Sequence, residues 1–326
     1  MRILVIGGAG MVGRKLIERL AREGRLGGKP ISHLTAHDVV APARVEAPFT
    51  IETRVSDLSV PGEAEALIKD RPDVIFHLAA IVSGEAEADF DKGYRINLDG
   101  TRFLFDAIRV VEGYVPRVVF TSTLAVFGAP YPAEPIDDEF FQTPLTSYGT
   151  QKAICELLMA DYSRRGFLDG VGIRLPTICV RPGKPNKAAS GFFSGIIREP
   201  LAGQEAILPV SEDVVHWHAS PRSAAGFLVH AATLDTAQLG ARRSLNMPGV
   251  GASVGEQIEA LRKVAGDKAV ARIRREPDPV VAKIVSGWPR TFNPARALAL
   301  GFKAETSFEE IIRIHIEDEL GGKIAD

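Results

Sequence analysis

A chain of 326 residues with 45% hydrophobic and 25% charged residues has the composition of an ordinary globular protein with a large core. The formal net charge is -2, and the sequence contains no run of basic residues. It therefore lacks the charge pattern of a nucleic-acid-binding protein. Neither cysteine, Cys155 nor Cys179, belongs to a CxxC or Cys/His cluster, so neither a disulfide framework nor a zinc site is predicted.

The first apolar run, MRILVIGGAG, is far shorter than a signal peptide or a membrane-spanning segment, and glycines interrupt it. No internal repeat or low-complexity tract follows. We therefore expect a cytoplasmic protein with neither a membrane nor a nucleic acid among its partners.

Short apolar runs alternate with helix-period stretches through the first 180 residues. The runs read as buried strands because they are continuously apolar, and they cover 2–6, 33–37, 74–78, 117–121 and 170–175. Helical periodicity covers 12–23, 63–70, 91–111 and 147–165. Such alternation predicts an α/β fold, a Rossmann-type doubly wound parallel sheet with helices on both faces.

Beyond about residue 176 the pattern loosens into loops rich in Gly and Pro. Helical signals return at 221–234, 253–265 and 307–319. We predict a dinucleotide-binding domain over 1–175, joined by a returning segment near 215–245. The remainder, 176–326, is predicted to form mainly a smaller substrate-binding lobe.

A glycine-rich loop, ILVIGGAGMVG, follows the first strand and leads into the first helix. The first glycine permits a tight turn, the second permits close approach of a pyrophosphate, and the third permits close packing of helix on strand. Gly8 allows a second register of the same motif. The residues predicted to form this phosphate site are Gly7, Gly10, Met11, Val12 and Gly13.

Acidic and small residues follow the next strands. Asp38 closes the second strand, where a carboxylate can accept hydrogen bonds from the adenosine ribose and repel a 2′-phosphate, which favours NAD over NADP. Capping of the next turn is the alternative role for Asp38. Adenine contacts are predicted from Asp57 and Leu58, and close approach to the cofactor is predicted at Leu78, Ala79 and Ala80.

Five motifs occur in an order and spacing that resembles the extended short-chain dehydrogenase/reductases. They are the glycine loop, HLAA at 77–80, NLDGT at 97–101, TSTLAVFG at 121–128 and YGTQK at 148–152. The resemblance implies an NAD-dependent enzyme in which Tyr148 is the acid/base and Lys152 assists it. Across the whole chain the sequence is similar to members that oxidise a four-carbon sugar acid.

Tyr148 and Lys152 are four residues apart, which places both on one face of a helix. Both residue types titrate near pH 10 when unperturbed, so neither alone is a base at neutral pH. We expect the Lys152 ammonium to lower the pKa of Tyr148 and to bind the nicotinamide ribose. The resulting tyrosinate would remove the proton of the substrate hydroxyl.

Other polar residues extend this catalytic set. Thr123 occupies the position at which the family carries its Ser or Thr, and its hydroxyl is predicted to bind the reacting oxygen, with Ser122 as a substrate contact and second candidate. Asn97 resembles the helix asparagine that supports a proton relay in relatives, and a structural role in its helix is the alternative. Ser147 is predicted as a substrate contact or a helix cap.

The expected substrate is an acid. Relatives that act on nucleotide sugars carry an acidic doublet in the segment corresponding to 218–221, where this chain has Ser220 and Pro221. Arg222 beside them offers a planar fork suited to a carboxylate. Further substrate contacts are predicted from Ser83, Arg181, Asn186 and Lys187, with hydroxyl contacts or structural hydrogen bonds from His216 and His218, and nicotinamide contacts from Pro176 and Thr177.

No metal site is predicted. His33 and His37 are four apart on a strand, too distant to share an ion, and His216 and His218 lack a third ligand at a recognisable spacing.

The sequence therefore predicts NAD-dependent oxidation of the C2 hydroxyl of a four-carbon sugar acid such as D-erythronate, giving the 2-oxo acid. The alternatives are a nucleotide-sugar epimerase or reductase of the same family and a non-enzymatic NAD-sensing module. The family's habit implies a homodimer formed through the helices at 91–111 and 147–165.

Overall fold

The computed structural model describes residues 1–183 and 189–325. It confirms the predicted α/β fold, with a central sheet of seven parallel strands and helices on both faces. The strands are β1 (Arg2–Ile6), β2 (Arg25–Leu26), β3 (Lys29–Pro30), β4 (His33–Asp38), β5 (Thr50–Val55), β6 (Val74–His77), β7 (Arg117–Thr123), β8 (Asp169–Leu175), β9 (Thr177–Ile178), β10 (Ala206–Leu208), β11 (Val215–Ala219), β12 (Ser244–Asn246), β13 (Val250–Ser253) and β14 (Ile273–Arg275).

The strand order of the central sheet is β12, β8, β7, β6, β1, β4, β5. The chain therefore builds outwards from β1 in one direction through β4 and β5, and in the other through β6, β7, β8 and β12. The direction in which strands are added therefore reverses beside β1. Such a reversal of strand order leaves a crevice beyond the carboxyl ends of the strands, and open α/β sheets bind their ligands in this crevice.

Helices cover the sheet because its inner strands are apolar on both faces. They are α1 (Met11–Glu23), α2 (Glu63–Ile68), α3 (Ser83–Ala88), α4 (Phe90–Gly93), α5 (Gly100–Arg109), α6 (Ser147–Arg164), α7 (Gly191–Leu201), α8 (Pro221–Thr233), α9 (Val254–Val270), α10 (Pro279–Ser286), α11 (Ala295–Ala299) and α12 (Phe308–Leu320). Side chains of α1 and α8 pack in one core cluster with the sheet, and those of α2, α5 and α6 pack in another.

The sequence predicts one helix over 91–111, and the structure divides it. A π-helical turn at Tyr94–Asp99 separates α4 from α5. Within this wider turn Asn97 is buried, and its amide bonds to the backbone of Ile81 and to Gln151. A regular α-helical periodicity carries no signal for the extra residue in such a turn.

A separate hydrophobic cluster, the C-terminal core, lies outside the sheet. It contains Phe193, Ile197 and Leu201 of α7, Ile258 and Leu261 of α9, and Ile311 and Ile312 of α12. Between these segments α8 and β12 return to the sheet. The division of the chain at residue 175 stays a prediction. Within residues 1–183 and 189–325, none of the helices combines the length and hydropathy needed to cross a bilayer.

Candidate active site

The glycine loop between β1 and α1 is sterically closed to larger residues at two positions. Gly7 has φ +95°, and a Cβ there would lie 2.6 Å from the backbone N of Ala79. A Cβ on Gly13 would lie 2.1 Å from the carbonyl O of Gly7. A Cβ on Gly8 would lie 3.2 Å from its nearest neighbour, the flexible side-chain end of Ile17. Steric closure therefore requires glycine at positions 7 and 13 more strictly than at position 8.

The start of α1 fits the phosphates of a dinucleotide. Gly10 is the N-cap residue, has an extended backbone and supplies no side-chain cap to the first turn. The first N–H groups of a helix have no partner within it, and the helix dipole favours an anion beside them. Met11 and Val12 form this first turn and also line the pocket described below.

Asp38 at the end of β4 lies against the glycine loop. One carboxylate oxygen accepts a hydrogen bond from the N–H of Ala9 at 3.0 Å, and the other accepts one from the N–H of Val39 at 2.7 Å. The carboxylate therefore both caps its own turn and stands next to the phosphate loop, where a ribose would meet it.

Asp57 is already engaged by other side chains. It accepts hydrogen bonds from Ser59 and from Arg95, the latter at 3.0 Å. Burial raises the pKa of Asp57, but these hydrogen bonds outweigh it and leave the pKa below its ordinary value. Leu58 is buried in the core beneath α5. Both residues anchor this loop, and the predicted adenine contact stays a prediction.

A cavity of about 430 Å³ opens at the carboxyl ends of the strands. It brings together most of the predicted site residues: Met11, Val12, Leu78, Ala80, Ser83, Ser122, Thr123, Tyr148, Lys152, Pro176, Thr177, Arg181 and His216. Ala79 approaches the glycine loop through its backbone, and Asn97 lies behind the pocket wall. Asn186 and Lys187 lie outside the described residues.

Tight packing holds the start of α6 against the end of β7. Thr146 caps the helix by accepting a hydrogen bond from the N–H of Gly149 at 3.1 Å, so the cap is Thr146 and not Ser147. A Cβ on Gly149 would lie 2.2 Å from the carbonyl O of Ala125. This close approach brings Tyr148 within hydrogen-bond reach of Thr123.

Tyr148 and Lys152 share one helix face, as their spacing predicts. Lys152 is 2% exposed, and its Nζ donates to the carbonyl O of Thr121 at 2.9 Å. The same Nζ lies 5.9 Å from the centre of the Tyr148 ring and 4.6 Å from that of Phe120. The ammonium therefore sits beneath the tyrosine, between α6 and β7.

The pKa values of this pair differ from the expectation. Burial raises the pKa of Tyr148 to about 12, although the charge of Arg181 and the hydrogen bond with Thr123 lower it. Burial lowers the pKa of Lys152 to about 8, against the opposing effects of Cys155 and Glu156. The charge that acts on the phenol is thus that of Arg181, a residue distant in sequence, and the chain's own groups leave Tyr148 protonated at neutral pH.

The two adjacent hydroxyls of β7 serve opposite sides of the strand. Thr123 pairs with Tyr148 and accepts a hydrogen bond from the N–H of Ala125 at 3.1 Å. Ser122 is 3% exposed and donates its hydroxyl proton to Glu156. Because side chains alternate along a strand, only Thr123 is free to present its hydroxyl to a reacting oxygen.

The far wall of the pocket comes from the chain beyond β8. His216 is buried, lies 2.7 Å through Nε2 from the Thr177 hydroxyl, and has its pKa lowered to about 4 by burial, so its imidazole is neutral. His218 contacts Gln257 instead and does not line the pocket. Residues that no sequence pattern indicated also line this wall, namely Arg198, Gly287, Trp288 and Pro289.

Arg222 corrects a sequence expectation, because it lies outside the pocket. It is at the start of α8, its side chain is 48% exposed, and its guanidinium pairs with Glu317 and Asp318 of α12. Its fork is therefore occupied by carboxylates of the same chain. The arginines that line the pocket are instead Arg181 and Arg198.

No cluster of His, Cys, Asp and Glu within residues 1–183 and 189–325 has the geometry of a metal site. The pocket instead combines a phosphate-binding turn with a Tyr, Lys and Thr set, which is the arrangement of a nicotinamide-dependent enzyme. The model of the NAD dependent epimerase/dehydratase family matches residues 3–219. The chain belongs to this family, and NAD is its cofactor.

Two relatives match along almost their whole length. D-erythronate dehydrogenase of Cupriavidus necator is 47% identical over 98% of this chain and 98% of its own. D-erythronate dehydrogenase of Haemophilus influenzae is 40% identical over 98% of this chain and 100% of its own. A crystal structure described as a nucleoside-diphosphate-sugar epimerase from Agrobacterium tumefaciens is 67% identical, with a TM-score of 0.97, over 100% of this chain and 96% of its own.

Proposed function

We propose that this protein oxidises the C2 hydroxyl of D-erythronate with NAD and releases 2-dehydro-D-erythronate. The observation that carries the proposal is the pairing of Tyr148 with Thr123 above a buried Lys152, at the end of a cavity beside the phosphate loop. Similarity over almost the full length to two D-erythronate dehydrogenases supports D-erythronate as the proposed substrate.

In the proposed reaction the Thr123 and Tyr148 hydroxyls hold the C2 oxygen from two sides. The proton of that hydroxyl passes to the phenolate oxygen of Tyr148, and the carbon–oxygen single bond becomes the carbonyl of the 2-oxo acid. NAD, when bound, accepts the hydride that leaves C2. The charge of Arg181 and the hydrogen bond with Thr123 favour the ionised form of the phenol, and the positive nicotinamide ring would add to this effect when bound. Lys152, beneath the phenol, is proposed to bind the nicotinamide ribose.

Gly7, Gly13, the first turn of α1 and Asp38 are the groups proposed to hold the cofactor. The two glycines leave open a cradle that a Cβ would fill, and the Asp38 carboxylate, which accepts a hydrogen bond from the N–H of Ala9, is proposed to accept from the ribose hydroxyls as well. Leu78, Ala80, Pro176 and Thr177 line the cavity and are proposed to contact the nicotinamide.

A nucleotide-sugar epimerase is the second candidate, because the similar Agrobacterium tumefaciens structure carries that description. In this chain Ser220 replaces the acidic residue of nucleotide-sugar relatives, is fully buried and caps α8, and donates to Glu305. A non-enzymatic NAD sensor would have no need of the Tyr148, Lys152 and Thr123 set.

The test is a substrate panel. NADH formation is followed by its absorbance with D-erythronate, D-threonate, L-lactate and UDP-glucose, and UDP-glucose is separately assayed for epimerisation. We expect D-erythronate to give the highest kcat/KM. Turnover confined to the nucleotide sugar would reject the proposed function.

Tyr148→Phe is the matched catalytic variant, since it removes only the phenol oxygen. We expect kcat to fall at least about 100-fold, in the range of a lost general base, with NADH affinity nearly unchanged. Retained turnover would place the base elsewhere.

We also propose a homodimer formed by α5 and α6, in which both helices of one protomer pack on those of its partner. Leu157 of α6 is 66% exposed, and Val110, just beyond α5, is 68% exposed. Light scattering of the parent and of Leu157→Glu tests this, because a charge at the centre of such an interface should yield monomers. The cytoplasmic location stays a prediction, which cell fractionation would check.

A further inference from the structure

We infer that Arg181 is the residue that binds the carboxylate of the substrate and thereby selects an acid. This inference rests on the proposed function and extends it to the substrate's recognition. Arg181 lines the same pocket as the end of β7, close enough to the Tyr148 phenol for its charge to lower the phenol's pKa.

The guanidinium is held in place by neutral groups. Its Nε donates to the carbonyl O of Ile178 at 3.1 Å, and its Nη2 donates to the Ser190 hydroxyl at 2.9 Å. The backbone N–H of Arg181 donates to the Ser194 hydroxyl at 3.0 Å. These bonds orient the planar fork without neutralising its charge.

A counter-charge is missing from the surroundings of Arg181. Within residues 1–183 and 189–325, no carboxylate lies at ion-pair distance from its guanidinium, and the segment 184–188 contains neither Asp nor Glu. Burial lowers the pKa of Arg181, which expresses the cost of holding the charge there. A half-buried charge without a counter-ion calls for an anion, and a carboxylate matches the two-pronged geometry of the fork.

The other basic groups of the pocket are committed elsewhere. Arg198 pairs with Glu199 and donates to the carbonyl O of Arg181 at 2.7 Å. Lys152 donates to the Thr121 carbonyl beneath Tyr148. His216 is neutral at physiological pH because burial lowers its pKa to about 4.

The position of Arg181 also accounts for the site of oxidation. In a 2-hydroxy acid the carboxylate and the reacting hydroxyl are on neighbouring carbons. A carboxylate held by Arg181 therefore directs the C2 hydroxyl towards Tyr148 and Thr123, which line the same pocket. Hydroxyls at C3 and C4 are left for neutral groups of the pocket such as the His216 imidazole.

The experiment compares D-erythronate with its neutral amide, D-erythronamide, in the parent, Arg181→Gln and Arg181→Lys. We expect Arg181→Gln to raise the KM for D-erythronate roughly 10- to 100-fold, the value of a charge-assisted hydrogen bond, while the KM for the amide changes little. Arg181→Lys should recover part of the preference, since it keeps the charge and loses the fork. Arg262→Gln is the control, because Arg262 is exposed and pairs with Glu259 and Asp267 in the C-terminal lobe.

A binding measurement separates this inference from the proposed reaction. The NADH complex of each variant is titrated calorimetrically with D-erythronate, and NADH affinity is checked by fluorescence. If the parent binds D-erythronate, Arg181→Gln does not, and neither oxidises it, the carboxylate assignment stands and the proposed function fails. An unchanged preference for acid over amide in folded Arg181→Gln overturns the assignment, and so does a parent that binds no D-erythronate.

Discussion

Glu156 and Arg174 form a buried ion pair directly behind the catalytic strand. Nε and Nη2 of Arg174 lie 3.0 and 2.8 Å from the two oxygens of Glu156, which is 4% exposed. Glu156 also accepts hydrogen bonds from Ser122 and Gln142. The pair thus ties α6, which carries Tyr148 and Lys152, to the neighbouring strands β7 and β8.

Glu156→Gln should destabilise the protein, because it leaves the Arg174 charge buried without its main partner. We expect the free energy of unfolding to fall by about 3 kcal/mol, at the low end for a broken buried pair, since Asp138 remains near Arg174. Urea unfolding measures the loss. In Arg164→Gln, which breaks the exposed pair with Asp161, the change should stay below about 1 kcal/mol, and equal losses in both variants would contradict the prediction.

Lys152→Met should make the protein more stable at pH 7 while abolishing turnover. Burial lowers the pKa of Lys152 from 10.5 to about 8, so the folded state carries an unfavourable charge below pH 8. Methionine removes that cost but leaves the Thr121 carbonyl without the hydrogen bond from Lys152. We expect the free energy of unfolding to rise by about 1 to 2 kcal/mol as the net result.

The difference in stability between Lys152→Met and the parent should become smaller as the pH rises from 8 to 10.5. Over that range the parent loses the Lys152 proton when folded and keeps it when unfolded, so its stability rises with pH. Thermal unfolding of both proteins across this range checks the sign. A methionine variant that is less stable at pH 7 would show that the ammonium is better solvated than its burial indicates.

Asp38→Asn should weaken the preference for NAD over NADP. The asparagine keeps one oxygen to accept from the N–H of Ala9 or Val39, so the loop should fold, while the charge that repels a 2′-phosphate is removed. We expect the ratio of kcat/KM for NAD to that for NADP to fall about tenfold or more, as for the loss of a charge-assisted hydrogen bond. An unchanged ratio would mean that the ribose does not meet this carboxylate.

Arg222→Gln should leave the KM for D-erythronate within about twofold of the parent value, because the exposed pairs that it breaks with Glu317 and Asp318 contribute less than about 1 kcal/mol each. Steady-state kinetics beside Arg181→Gln distinguish the two arginines directly. A large rise in KM for Arg222→Gln alone would restore the interpretation that the sequence suggested.

Local patterns predict much of this molecule, and long-range packing decides the rest. Continuous apolar strands and the four-residue spacing of Tyr148 and Lys152 are local features, and both are confirmed by the fold. Arg222 illustrates the limit: its partners Glu317 and Asp318 lie about 95 positions away, so nothing near it in sequence reveals that its fork is occupied. Trp288 reaches the pocket wall by the same kind of distant packing.

The two walls of the pocket belong to different hydrophobic clusters. Tyr148 and Lys152 are on α6 and Thr123 is on β7, which pack together in a core cluster of the sheet, whereas Arg181 lies in a segment packed on the C-terminal core beside Val180 and Phe193. Substitutions in clusters that share few partners are close to additive. Residues around Arg181 and Trp288 can therefore be replaced to admit other acids, provided that Arg181 itself is kept, because its charge lowers the pKa of the Tyr148 phenol.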